Sequence, residues 1–88
     1  MKDYVIGNHG TICPVCRAEE EVDNLAIEAF AQAMKRKMAQ ARKKGRYGWR
    51  DCSAEELSIM LRKHIEKGDP LDVANFCMML WNLGKDIV

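Results

Sequence analysis

Three sets of residues in this chain have the types and spacing for chemistry. Asp69, Asp72 and Asn75 follow one another at steps of three where an apolar run begins, so on a helix they share one edge and can meet a common partner. As ligands, the two carboxylates are candidates for a magnesium ion completed by Glu55, Glu56 or Glu66, an arrangement that would engage a triphosphate. As structure, Asp69 and Asp72 satisfy the amides that a helix start leaves unpaired, and Asn75 bonds a loop carbonyl. The structural account covers all three residues and is the preferred one.

Cys13-Pro-Val-Cys16 is the second set, a two-residue spacing that lets thiolates converge on a tetrahedral zinc ion. His9 is a candidate third ligand, with Cys52 or His64 as the fourth; the alternative is a bare arm with thiols. The third set is the basic run Lys35, Arg36, Lys37, Arg42, Lys43, Lys44, Arg46 and Arg50, with Tyr47 and Trp49 interleaved. Cations among aromatics suit a phosphate-bearing strand whose bases stack, or an acidic protein patch. A solvated helix end would also be basic, because cations complement the C-terminal dipole, but eight charges exceed what that needs.

The elements that must position these groups are legible from periodicity. Residues 1–17, with Gly7, Gly10, Pro14 and the cysteine pair, read as an irregular arm ahead of a single helical domain spanning 18–88. From Ala18 to about Lys44, Val22, Ala26, Ala29, Phe30, Ala33, Met34, Met38 and Ala41 recur at three and four, predicting a long helix with these residues inward. Glu19, Glu20, Glu21 and Asp23 suit its positive end, and Gly45 suits its stop.

Ser53-Ala-Glu-Glu56 forms a capping box, so a second helix is expected from about Ala54 to Gly68, with Leu57, Met60, Leu61, His64 and Ile65 inward. Histidine on such a stripe is ordinarily a hydrogen-bonded core residue. Asp69-Pro70 then starts a third helix to about Leu83, with Pro at its first position. Cys77, within Phe76-Cys-Met-Met79, reads as a small core side chain. The fold class is therefore all-α, a small three-helix domain of one long and two shorter helices. The third helix is apolar around so much of its circumference that a homodimer is expected to cover it.

Composition narrows the class further. With 88 residues, the chain can build one small core. The net charge of +1 conceals segregation: 17–28 holds five acids and one base, whereas 35–50 holds eight bases and no acid. No run approaches the roughly 20 apolar residues of a membrane span, and the N-terminus lacks a signal-peptide layout. A soluble, cytosolic protein is expected, its cysteines thiols or metal ligands and not a disulfide framework.

Gly48-Trp49, Cys52-Ser53, Glu56-Leu57 and above all Lys67-Gly-Asp-Pro-Leu-Asp-Val-Ala-Asn-Phe-Cys-Met-Met-Leu resemble a family of small uncharacterised proteins of tailed phages and prophages. That resemblance spans about 30–84 and implies an accessory protein made in the host cytoplasm. A more distant similarity reaches the all-α nucleoside triphosphate pyrophosphohydrolases of the MazG type, which bind magnesium through Glu-Glu-x-x-Glu and Glu-x-x-Asp. Asp72 would match the final Asp and Asp69 the Glu before it, but Glu55 and Glu56 are followed by Ile59 where an acid is needed. The first metal motif is broken, and a site short of one carboxylate holds its metal weakly.

The leading functional expectation is a non-catalytic protein that binds a host protein or nucleic acid through Lys35, Arg42, Lys43, Lys44, Arg46, Tyr47, Trp49 and Arg50. Magnesium-dependent nucleotide hydrolysis at Asp69 and Asp72 is the alternative from the enzyme class. A module stabilised by zinc at His9, Cys13 and Cys16 is the third.

Overall fold

The computed structural model describes residues 14–88, a chain of three helices: α1 over Pro14–Lys43, α2 over Ala54–Lys67 and α3 over Pro70–Asn82. The all-α expectation holds. α1 starts four residues before the predicted Ala18, with Pro14 in the first turn, where its missing N–H is no loss. Cys16 and Arg17 are consequently helical. Past Lys43 the chain closes with Arg46 N–H donating to the Ala41 carbonyl at 2.9 Å and Gly45 N–H to Arg42 at 3.0 Å, a Schellman stop.

α2 begins as the capping box requires. The Glu56 amide donates to Ser53 Oγ at 3.1 Å, and the Ser53 amide donates to Glu56 Oε1 at 3.2 Å. It ends at Gly68, whose φ of +77° places the chain in the left-handed region and turns it straight into α3. Asp69 Oδ1 accepts from the Leu71 amide at 2.9 Å, fixing the first turn of α3.

The core lies between α2 and α3 and is small: Leu57, Leu61, Met79 and Leu80 are the buried apolar residues, ringed by Met38, Trp49, Met60, Val73 and Phe76 among others. Several expected core positions lie outside it. Ile65 is 54% exposed, since among the described residues no element covers the flank of α2 beyond Leu61, and the fully buried place goes to Ser58, whose hydroxyl accepts from the Val88 amide at 3.0 Å. Cys77 and Trp81 face outward on α3, contrary to a core reading of Cys77.

α1 contributes no buried residue at all. It touches α3 through its C-terminal half, around Met34, Lys37 and Met38, while Val22, Leu25 and Ile27 stand more than 60% exposed. The predicted inward stripe is therefore covered at one end only. The molecule is long as a result: its extents are 47 × 27 × 25 Å and its radius of gyration is 16.6 Å, against about 12 Å for a compact domain of this length. No helix among the described residues is long and apolar enough to cross a membrane.

Candidate nucleic-acid interface

The common partner of the acids at the start of α3 is a lysine. Lys37 Nζ lies 3.0 Å from Asp69 Oδ2 and 3.8 Å from Asp72 Oδ2, bridging α1 to α3. Its hydrogen bond to Asp69 and the charge of Asp72 raise the Lys37 pKa above its ordinary value. The same bond, with the Leu71 amide, lowers that of Asp69. Asn75, next along the edge, is 4% exposed and donates from Nδ2 to the Met34 carbonyl at 3.4 Å, while its Oδ1 has no partner.

Asp69, Asp72 and Asn75 thus dock α3 onto α1: Asp69 also caps the Leu71 amide as expected, but Asp72 pairs with Lys37 and Asn75 bonds a carbonyl within α1, neither a helix-start amide nor a loop carbonyl. A magnesium ion at Asp69 and Asp72 would have to displace an ammonium group already held by both, and Glu56 is committed to the capping box. Lys37 was the missing piece of the sequence reading. Its signal was its phase: it lies three residues after Met34 and four before Ala41, on the side of α1 that meets α3.

With Lys37 engaged, the other cations of the run are left facing solvent. Lys35, Arg36, Arg42, Lys43, Lys44, Arg46 and Arg50 are all exposed, and among the described residues no other ion pair forms. They cluster at the C-terminal end of α1, where the last carbonyls favour cations, and along the loop that follows. Gly48, at φ +90°, reverses the chain between the two aromatic residues. Trp49 is consequently drawn against the core, and Tyr47 remains 79% exposed beside Arg46. Of the two aromatics named from the sequence, Tyr47 presents its ring to solvent.

The loop is held from behind. The Asp51 amide donates to the Gly48 carbonyl and the Cys52 amide to that of Trp49, both at 3.1 Å, while Lys85 Nζ donates to the Cys52 carbonyl at 3.1 Å. Beneath it runs a cleft of about 480 Å³ with Met38, Trp49, Leu57, His64 and Phe76 in its wall and Arg46, Tyr47 and Lys67 at its margin. His64 is half-buried there: Nδ1 donates to the Met60 carbonyl at 2.8 Å, and the ring lies 4.8 Å from that of Phe76. The hydrogen bond expected of it is present, but it lines a cleft and is not part of the buried core.

Of the zinc candidates, His9 and Cys13 lie outside the described residues, and Cys16 sits in the first turns of α1. Among the described residues no group of three or more His, Cys, Asp or Glu side chains is placed to hold a metal ion. No protein family, no characterised protein and no solved structure matches the chain.

Proposed function

We propose that this chain is a non-catalytic accessory protein, of the tailed-phage kind that its third helix resembles, and that it binds single-stranded nucleic acid through the basic end of α1 and the loop after it. The observation that carries the reading is the contrast between Lys37 and its neighbours. One cation of the run is paired with the acids of α3, and seven are left exposed along the end of α1 and the loop that carries the exposed Tyr47. Phosphates would be held by Arg42, Lys43, Lys44 and Arg46, with Lys35 and Arg50 at the edges, and a base would stack on Tyr47. An acidic protein patch would meet the same cations but has less use for the exposed ring.

Charge reversal at R42E, K43E and R46E is the test. All three residues are exposed, so helicity by circular dichroism should stay unchanged. Binding to a labelled oligonucleotide is expected to be lost. Affinity equal to that of the unaltered chain would remove the proposal.

A further inference from the structure

The cleft beneath the basic loop gathers most of the rings of this chain. Of the six aromatic or imidazole side chains among the described residues, four line it: Tyr47 and Trp49 from the loop, His64 from α2 and Phe76 from α3. Its volume of about 480 Å³ falls within the range of about 300–1,000 Å³ that organic ligands occupy. Flat apolar walls admit many occupants, and the polar groups among them narrow the choice.

Four charged side chains belong to the lining, and two of them, Lys37 and Asp72, are paired to each other at 3.8 Å. Arg46 and Lys67 are exposed and form no ion pair among the described residues, so the free charge of the cleft is positive and suits an anion. Two hydrogen-bond acceptors in the lining also lack donors. Asn75 is 4% exposed and its Oδ1 has no partner among the described residues, a costly state for a buried carbonyl oxygen. His64 spends its Nδ1–H on the Met60 carbonyl, which leaves the other nitrogen of the neutral ring as an acceptor. A flat ring with N–H groups on its edge and a phosphate attached meets these demands together. A nucleotide is such a group, since each of the four bases carries at least one N–H on its pairing edge. The cleft also adjoins the basic surface, because Arg46 and Tyr47 belong both to the exposed loop and to the cleft margin.

We infer that the cleft takes one base of the bound single strand, unstacked from its neighbours and slotted against Trp49 and Phe76, while Arg46 and Lys67 hold the phosphates beside it. The inference rests on the strand-binding reading and adds a second source of affinity to it. Phosphate contacts at the end of α1 capture a strand by its charge, whereas the base in the cleft contributes stacking that charge alone does not supply. Lys67, which lies outside the basic run, joins the site only through this cleft.

Trp49 reports on the cleft once Trp81, which is 80% exposed on α3, is replaced. In a W81F chain Trp49 is the single tryptophan, and its emission should be quenched when a single strand of about 15 nucleotides binds, because a base then stacks on the indole. The comparison is a strand of the same length and charge in which every sugar lacks its base. That strand should bind at least about tenfold more weakly, with the salt dependence of phosphate contacts, and should leave the emission of Trp49 unchanged. A41F, which puts a ring into the cleft from α1, should abolish the quenching and narrow the gap between the two strands, with circular dichroism verifying the fold. The Trp49 comparison needs no alteration of the cleft, so it decides the matter even where A41F fails to fold. Equal affinity for the two strands, with Trp49 unmoved by either, overturns the inference and leaves phosphate binding standing. Failure of both strands to bind overturns the strand-binding reading and the inference with it. Quenching by a free nucleoside monophosphate at the concentration of the strand also overturns the inference, since the cleft would then serve a small molecule.

Discussion

Two substitutions two residues apart on α2 probe the packing most sharply. Leu57 is wholly enclosed and Ile59 is 53% exposed, so Leu57→Ala and Ile59→Ala remove comparable amounts of hydrocarbon from opposite environments. Emptying the Leu57 site forfeits both transfer energy and the contacts of a wall that cannot fully collapse, a loss of about 3–5 kcal/mol. A domain of this length holds only about 4–13 kcal/mol in total. Ile59→Ala forfeits about 1 kcal/mol of burial and recovers about 0.4 kcal/mol in helix propensity, leaving little net change. Urea unfolding followed by circular dichroism at fixed protein concentration separates the cases. With a slope near 1 kcal/mol per molar urea, Leu57→Ala should lower the midpoint by about 3–5 M and Ile59→Ala by less than about 1 M. Should Leu57→Ala fail to fold, Leu57→Met, which keeps the volume, should fold at a cost below about 1.5 kcal/mol. Equal shifts for the alanine pair would refute the placement of the core between α2 and α3.

Other consequences follow from the turns and the paired lysine. Gly68→Ala meets open space, so its cost of about 1–2 kcal/mol comes from the left-handed backbone alone; a thermal midpoint within a degree of the original would contradict that. Lys37→Met removes the bridge between α1 and α3. Because the Asp69 pKa is lowered on folding, its pairing stabilises the fold above the ordinary carboxyl value of 3.8, and the benefit fades as pH falls through the folded value. Because the Lys37 pKa is raised, its share holds below 10.5 and fades as pH rises through the folded value. The stability gap between the unaltered chain and Lys37→Met is therefore expected to be full between about pH 5 and 9 and to close outside those limits. A gap that ignores pH would remove the ion pair from the account.

Caps and periodicity made the fold legible before any coordinates. Ser53 and Glu56, Gly68, and Asp69-Pro70 are local signals whose hydrogen bonds form within a few residues, so they read directly from the chain. Burial is a different matter, because a helical period names the apolar side of a helix and says nothing about whether a neighbour reaches it. Val22 and Phe30 share a stripe with Met38, yet only the Met38 end meets α3. Cys77 and Ile65 were misplaced for the same reason. In the candidate interface the cations were legible as a run, but that Lys37 belongs to the fold and the others to the surface depended on the approach of Asp69 across 32 residues. The opposite fates of Tyr47 and Trp49 depended on the turn at Gly48, whose direction the sequence does not state.

The account rests on the exposed cations after α1 meeting phosphates, and the salt dependence of binding tests it directly. If Arg42, Lys43, Lys44 and Arg46 each neutralise one phosphate of a labelled single strand of about 15 nucleotides, the plot of log affinity against log salt should fall with a slope near −2.8. Affinity would then drop about 50-fold between 50 and 200 mM salt. A flat plot, or no binding at the lower salt, would contradict the account.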